Sequence, residues 1–151
     1  MKILAIDPST TSCGYAVFNK GDLTDWGVIS NTDKSSFIRS EHIANALHFV
    51  MVSEQPHLIV CEYPHKGGIG AKTMSIATLF HFCGMVHGMA KSSKLPIKFI
   101  EPIKWKGNIP KEIHQKRVIP KLEEKYDIEL VGESPDLIDA VALGDWFLRD
   151  R

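Results

Sequence analysis

Two short apolar runs, residues 2–7 (KILAID) and 57–63 (HLIVCEY), set the tightest limit on the architecture of this chain. Each predicts a short buried strand, and prolines at 56 and 64 bound the second run. Between them lies residues 35–54, where apolar side chains recur at helical spacing. Strands that are joined through a helix usually pair in parallel, so we expect these two in one sheet, side by side.

The rest of the chain continues the alternation of strands and helices. Further strands are predicted at 14–19 and 23–30, joined in a hairpin at Gly21-Asp22, and at 95–102. A further helix is predicted at 73–92, where Gly84 and Gly88 lie one turn apart and predict close packing against the sheet. Another is predicted at 134–150, behind the capping residue Ser134. We expect a loop over 65–72, a basic segment with several prolines up to Pro120, and a helix end and loop over 122–130. This order predicts an α/β fold with a mixed five-stranded sheet and helices on its faces.

Composition agrees with one compact domain over residues 1–151. The chain is 44% hydrophobic and has zero formal net charge, so nothing indicates a general attraction to nucleic acid or membranes. No run approaches the ~20 apolar residues of a membrane span, and the start lacks a signal-peptide pattern. We therefore expect a cytoplasmic protein without membrane contact. The cysteines, which we expect to be reduced and buried, are Cys13, Cys61 and Cys83.

The neutral net charge conceals an uneven distribution of charge along the chain. Residues 91–121 carry nine basic and two acidic side chains, whereas residues 122–151 carry three basic and nine acidic ones. A lysine-rich stretch is more often a solvated surface than a binding site. It indicates a polyanion-binding surface only if a neighbouring feature requires one.

Four carboxylates stand where a shared site would need them. Asp7 ends the first strand and Glu62 nearly ends the fourth, so both are expected at the carboxyl edge of a parallel pair. Asp136 and Asp139 lie three residues apart on the apolar stripe of the last helix. Asp145 falls on the opposite side of that helix, where we expect solvent. The positions predict that the first four acids converge.

Each of these acids alone has an ordinary explanation, as a turn former or as a helix N-terminal residue favoured by the helix dipole. Four converging carboxylates, however, need compensating charge, because unpaired buried anions are very costly. Ligands that are all oxygen favour Mg²⁺ or Mn²⁺ over Zn²⁺. Two such ions about 3.5–4 Å apart can activate a water and stabilise the leaving oxygen of a phosphodiester. The pattern therefore favours a metal-dependent nuclease site.

Three motifs resemble those of RuvC-type Holliday junction resolvases, a family with the RNase H-like fold. They are AIDPSTTSCGYAVF around Asp7, LIVCEYP around Glu62, and SPDLIDAVALGDWF around Asp136 and Asp139. Residues 79–90 (LFHFCGMVHGMA) and 99–122 (FIEPIKWKGNIPKEIHQKRVIPKL) resemble further parts of the family pattern. The resemblance covers nearly the whole chain in order.

The resemblance implies a single RNase H-like nuclease domain that resolves four-way DNA junctions in recombination and repair. It implies two Mg²⁺ per active site, with Mn²⁺ able to substitute, bound by the catalytic residues Asp7, Glu62, Asp136 and Asp139. It also implies a homodimer that nicks two strands symmetrically and leaves 5′-phosphate and 3′-hydroxyl ends. Such a protein works in a bacterial cytoplasm, a phage-infected cell or an organelle.

The basic stretch then supplies candidates for binding DNA phosphates: Lys66, Lys72, Lys104, Lys106, Lys111, Lys116 and Arg117. Two of these, Lys111 and Lys116, are also candidates for stabilising the charged transition state. Two roles stay open for Trp105, stacking on a base or packing in the protein. The sequence departs from the family after Glu62, where Tyr63 and His65 stand near the position of a bulky aromatic residue. How the junction is opened is therefore not predicted.

Three other functions stay open. The sequence DPSTTSCGYAVF also resembles the phosphate loop of sugar kinases and actin-like ATPases, but that architecture requires two such domains. The second alternative is an RNase H-like nuclease that acts on RNA, of the pre-rRNA processing type. The third is a branched-DNA-binding module without catalytic activity. A nicking assay on a synthetic four-way junction separates these alternatives.

Overall fold

A computed structural model describes residues 1–9, 11–64 and 73–150, apart from the side chains of 73–75, and shows a five-stranded mixed sheet with helices on both faces. The strands are β1 (Lys2–Pro8), β2 (Ser12–Asn19), β3 (Asp22–Ser30), β4 (Leu58–Glu62) and β5 (Ile97–Ile100). The helices are α1 (Ser36–Glu54), α2 (Thr73–Ser92), α3 (Pro102–Trp105), α4 (Lys111–Tyr126) and α5 (Pro135–Arg149). The predicted α/β class is confirmed.

The strand order is β3-β2-β1-β4-β5, with β1 at the centre. It pairs antiparallel with β2 and parallel with β4, and β5 continues the parallel half. The predicted hairpin is confirmed, since β2 and β3 pair antiparallel across a turn at Lys20 and Gly21, both with positive φ. This topology places the carboxyl ends of β1, β4 and β5 on one edge of the sheet.

The sheet separates two apolar cores, because its central strands are buried on both faces. One face of β1 and β4, with Ile3, Ala5 and Val60, packs against α5. The opposite face, with Leu4 and Ile6, packs against α1 and α2. This second core also contains the cysteines, which are buried and free as predicted: Cys13, Cys61 and Cys83.

Helix α5 approaches β2 closely because glycines occupy two points of contact. A Cβ at Gly14 would lie 1.9 Å from the carbonyl oxygen of Asp136, and one at Gly144 would lie 2.1 Å from the Phe18 ring. A side chain at either position would therefore push the helix off the sheet. The predicted cap is also present, since the Ser134 hydroxyl accepts the Asp136 N–H at 3.3 Å. These contacts fix the first turn of α5 beside the end of β1.

The largest difference from the sequence prediction is α4, which is one continuous helix through Pro120. The predicted basic segment up to Pro120 is helical from Lys111 onward. The helix end and loop predicted over 122–130 are confirmed, because α4 ends at Tyr126. A proline has no N–H to donate to the carbonyl four residues earlier, here that of Lys116. The helix nevertheless continues, and Leu122 packs in the core beneath α5. Tertiary packing overrides the local signal here.

Helix α2 also differs from its prediction, which placed Gly84 and Gly88 in close contact with the sheet. Both glycines are exposed, and a Cβ at either would meet open space. Within the part of the chain that the structure describes, neither α2 nor any other helix is long and apolar enough to cross a membrane. The predicted loop over 65–72 lies outside the described residues.

A candidate active site of four carboxylates and two lysines

The carboxyl ends of β1 and β4 and the start of α5 bring the four predicted carboxylates to one edge of the sheet. Asp7 is the last residue but one of β1, and Glu62 is the last residue of β4. Asp136 and Asp139 come from the first turns of α5. That part of the helix rests on Gly14, which pairs with Asp7 in the β1–β2 register. Asp7 and Asp139 are buried, and the other two acids are partly exposed.

Lys106, just after α3, joins two of these acids. Its Nζ lies 3.0 Å from Glu62 Oε2 and 3.2 Å from Asp139 Oδ2. The indole N–H of Trp105 donates to the same Glu62 oxygen at 2.9 Å. The Lys106 ammonium also lies 4.8 Å from the Trp105 ring centroid. Trp105 is buried, so of its two predicted roles the structure favours packing, with a hydrogen bond that orients Glu62.

Lys111, the first residue of α4, joins three acids. Its Nζ lies 3.2 Å from Asp136 Oδ1, 3.2 Å from Asp139 Oδ2 and 3.6 Å from Asp7 Oδ2. The side chain of Lys111 is 41% exposed, so its ammonium faces both the acids and the solvent. Asp139 therefore contacts both lysines, and the four carboxylates form one connected cluster.

Two polar side chains that the sequence analysis missed hold the α5 acids. Gln115 Nε2 donates to Asp139 Oδ1 at 2.8 Å, and the Ser12 hydroxyl donates to Asp136 Oδ2. Gln115 lies four residues after Lys111, so both face the site from α4. That spacing would have signalled the pair if the start of α4 had been predicted. Ser12 gave no separate signal, because a serine in a Ser/Thr turn is ordinary.

The charge of the cluster is unbalanced, since four carboxylates surround only two ammonium groups. Burial and then the Glu62 charge raise the pKa of Asp7 well above its ordinary value, although Lys111 opposes this shift. Burial lowers the pKa of Lys106 and Lys111, but the neighbouring carboxylates outweigh it and raise both pKa values. Both lysines therefore stay charged, and the site still favours additional positive charge.

The remaining predicted DNA contacts differ in their placement. Lys104, Lys116 and Arg117 are exposed, and none has an ion pair with another described residue. Lys106 and Lys111 contact the carboxylates, as above, and Lys66 and Lys72 lie outside the described residues. His114, which lies among these residues on α4, is buried with its ring edge-on to Trp105, at a centroid distance of 5.1 Å. The DNA-binding roles of the seven basic residues stay predictions.

The prediction that Asp145 faces solvent is wrong. This acid is buried and accepts hydrogen bonds from Lys125 Nζ at 2.7 Å, Tyr126 OH at 2.7 Å and Arg149 Nε at 2.9 Å. Burial raises the pKa of Asp145, but hydrogen bonds from Lys125 and Tyr126 outweigh it and hold the pKa below its ordinary value. The physical reason is α4, which covers this side of α5 and which the sequence analysis did not place there.

Several solved structures share this architecture over nearly the whole chain. RuvC from Thermus thermophilus, in complex with a Holliday junction substrate, has a TM-score of 0.79 and 16% identity over 99% of this chain and 96% of that chain. The resolvase of fowlpox virus, in complex with Holliday junction DNA, has a TM-score of 0.65 and 16% identity over 99% of this chain and 96% of the viral chain. The yeast mitochondrial Holliday junction resolvase Ydc2 has a TM-score of 0.64 and 14% identity over 97% of this chain and 77% of the yeast chain.

No family model matches the chain, and no curated protein matches it by sequence. At identities of 14–16%, the structural likeness shows the fold. The RNase H-like fold of RuvC-type resolvases, which the motifs predicted, is therefore confirmed as the fold of this chain.

Proposed function

We propose that this chain is a metal-dependent, structure-selective endonuclease that resolves four-way DNA junctions. The observation that carries the proposal is the convergence of Asp7, Glu62, Asp136 and Asp139 from three elements onto one edge of the sheet. A shared fold alone would not support an activity, because function depends on the site. Branched DNA is favoured as the substrate because two proteins of similar structure were solved with Holliday junction DNA.

The donor set fits a hard divalent cation. All four candidate ligands offer carboxylate oxygens, which Mg²⁺ and Mn²⁺ prefer, and the cluster lacks positive charge. Among the described residues no three acidic, histidine or cysteine groups are already arranged around one ion position. The ammonium groups of Lys106 and Lys111 lie between the acids instead. Two Mg²⁺ held there would activate a water and stabilise the leaving oxygen of the phosphodiester.

The residues of the chain then have distinct tasks. The four acids would hold the cations, and the hydrogen bonds from Trp105 and Gln115 keep Glu62 and Asp139 in a fixed orientation. The partly exposed Lys111 is placed to contact the scissile phosphate and to stabilise the negative charge that develops on it. Lys116 is the second candidate for that task from the sequence.

The exposed basic residues near the site are proposed to bind junction phosphates. Lys104 lies on α3, which Lys106 directly follows, and Lys116 and Arg117 lie on α4, which Lys111 begins. Phosphate contacts position DNA without reading its sequence, so replacing any of the three should weaken binding uniformly. Each lost contact should also reduce the salt dependence of binding by about one counterion. Lys66 and Lys72 are proposed to contribute from the segment after β4.

A homodimer of single nuclease domains, each spanning residues 1–151, would suit a four-way junction. The substrate is two-fold symmetric, and two nicks at related positions require two active sites in a symmetric arrangement. Cleavage by an activated water with a 3′-hydroxyl leaving group gives 5′-phosphate ends that a ligase can seal.

A nicking assay on a synthetic four-way junction with Mg²⁺ or Mn²⁺ tests the proposal, with linear duplex, flap DNA and an RNA duplex as comparison substrates. We expect symmetric nicks in the junction with 5′-phosphate ends. Asp7→Asn should lower the rate more than about a hundredfold, because loss of a residue that only supports a metal ligand already costs about 10–100-fold. Asp127→Asn is the matched control, since Asp127 is exposed and its positive φ of 53° suits asparagine.

Each outcome of this assay decides between the alternatives. Cleavage that persists in Asp7→Asn but needs the divalent ion would exclude the carboxylate mechanism. Cleavage of RNA alone would reject the substrate assignment and retain the metal site. Tight junction binding by the wild-type protein without cleavage under any divalent ion would identify a non-catalytic DNA-binding module.

A further inference from the structure

A cavity of about 260 Å³ lies between α4 and α5. Two indole rings, those of Trp105 and Trp146, contribute to its wall, together with small and branched apolar side chains. None of the four predicted catalytic acids lines it, so the cavity is distinct from the carboxylate site. Its volume lies just below the roughly 300–1,000 Å³ of pockets for drug-sized ligands, so its occupant must be small.

The charged groups around the cavity are predominantly positive. Lys121, Lys125 and Arg149 line it, and the one carboxylate in the lining is Asp145. That carboxylate is already bonded to Lys125, Arg149 and Tyr126, so its charge is compensated. Lys121 is exposed and has no ion pair with another described residue. Two of the three cations compensate Asp145, so the excess positive charge favours an anion.

We propose that this cavity binds a small anion that carries one flat aromatic ring system, with a nucleoside monophosphate as the representative ligand. The indoles of Trp105 and Trp146 supply aromatic contacts for the ring, and Lys121, the cation that does not compensate Asp145, pairs with the anionic group. This combination of apolar walls with a few convergent polar groups is typical of small-molecule sites.

His114 gives a second reason to expect a ligand with polar ring atoms. It lines the cavity and is more than nine-tenths buried, and its Nε2 has no hydrogen-bond partner among the described residues. Buried polar atoms in proteins are nearly always paired, because an unpaired one loses the free energy of hydration. The Nε2 atom has almost no accessible surface, so the ring of His114 has to turn towards the cavity before a ring nitrogen of the ligand can supply the missing partner.

The cavity also contacts the carboxylate site through one residue. Trp105 lines the cavity, and its indole N–H donates to Glu62 at 2.9 Å. An occupant that shifts this ring therefore changes the hydrogen bond that orients Glu62. The binding itself does not depend on the proposed nuclease function, so each proposal can fail while the other stands.

Indole N–H signals of ¹⁵N-labelled full-length protein test the proposal during a titration with deoxyadenosine monophosphate. EDTA is present, so that divalent ions cannot recruit the nucleotide to the carboxylate site. We expect the Trp105 and Trp146 signals to shift together and to saturate. The signal of Trp26, which lies on β3 and does not line the cavity, should stay unchanged. Single Trp→Phe variants assign the three signals.

Titrations with other ligands and with variants separate the contribution of the ring to binding from that of the charge. Inorganic phosphate and deoxyadenosine should each bind at least about tenfold more weakly than the nucleotide, because each lacks one of the two contacts. Lys121→Gln should raise the Kd about fivefold, as expected for a charge at an exposed rim, and Lys91→Gln on α2 should leave it unchanged. Ala142→Met, at a residue that lines the cavity, should abolish the shifts by filling the space.

The absence of any shift in Trp105 and Trp146 at millimolar nucleotide would overturn the proposal. The proposal would also be overturned if Lys91→Gln and Lys121→Gln weakened nucleotide binding equally, or if phosphate bound as tightly as the nucleotide. Thermal unfolding checks that Ala142→Met is folded. If Ala142→Met is unfolded, the effect of Lys121→Gln and the relative Kd values of nucleotide, deoxyadenosine and phosphate test the proposal instead.

Discussion

Replacing Lys106 by methionine tests whether the lysines stabilise the carboxylate cluster. Methionine retains much of the aliphatic stem but removes the ammonium that contacts Glu62 at 3.0 Å and Asp139 at 3.2 Å. Asp139 would keep its contact with Lys111, whereas Glu62 would keep only the hydrogen bond from Trp105. The variant therefore leaves one poorly compensated carboxylate at the edge of the core.

The magnitude follows from the burial of the three side chains. Lys106 is 12% exposed, Glu62 15% and Asp139 0%, so solvent screens these pairs only weakly. Removing one partner of a buried ion pair costs about 3–5 kcal/mol, and the lost contact with the Trp105 ring adds about 0.5–1 kcal/mol. Because Lys111 still compensates Asp139, we expect the lower end, a loss of about 3 kcal/mol in the free energy of unfolding. For a chain of this length that lowers Tm by about 6–12 °C.

Urea unfolding followed by circular dichroism, with EDTA present, measures this loss. The matched control is Lys104→Met, two residues away at an exposed lysine without an ion pair to another described residue. That change should stay within about 0.5 kcal/mol. Added Mn²⁺ should stabilise the Lys106→Met protein more than the wild type, because the variant has the larger deficit of positive charge. A Lys106→Met protein as stable as its control would refute the reasoning about the cluster.

Three further predictions concern the supports of the site. Gly14→Ala should lower the free energy of unfolding by about 1–3 kcal/mol or more, because the new Cβ would lie 1.9 Å from a backbone oxygen of α5. Gly84→Ala, in open space on α2, should raise the free energy of unfolding by about 0.5–1 kcal/mol, and chemical denaturation measures both changes. The pKa of Asp7 is raised in the folded state, so its ionisation destabilises the fold as pH rises from its ordinary value of 3.8 through the folded pKa. Asp7→Asn should then be more stable than wild type at pH 7 in EDTA, and the difference should shrink towards pH 4 in unfolding curves; a constant difference would contradict the assignment. The pKa of Asp145 is lowered in the folded state, so Asp145→Asn should lower the free energy of unfolding by about 1–2 kcal/mol at neutral pH. Calorimetry at several pH values should show that this loss becomes smaller as the pH falls below about 3.8.

The sequence predicted those parts of the fold that local periodicity encodes. The apolar runs of β1 and β4 and the helix between them are sufficient for a parallel pair, and that pair places Asp7 and Glu62 at one edge. The spacing of Asp136 and Asp139 predicts a shared helix face, but it does not reveal what the face contacts. The close contact of α5 with β2 depends on Gly14, whose role only the packed structure makes visible.

The errors share a physical cause, since each concerns contacts between elements. The basic segment with prolines did not predict a helix start at Lys111, whereas α4 begins there and continues through Pro120 because its apolar side packs under α5. Because the start of α4 was not predicted, neither the burial of Asp145 nor the contact of Gln115 with Asp139 could be predicted. The glycines of α2 show the reverse error, because Gly84 has the sequence pattern of a packed helix and is exposed. Neither result follows from local propensity.

A crystal structure of the protein with Mn²⁺, located by anomalous scattering, tests the central claim most directly. We expect manganese among the side chains of Asp7, Glu62, Asp136 and Asp139, with carboxylate oxygens about 2.0–2.6 Å from the metal and the ammonium groups of the two lysines displaced. Anomalous signal only elsewhere on the molecule, in a protein that cleaves four-way junctions with Mn²⁺, would contradict the account.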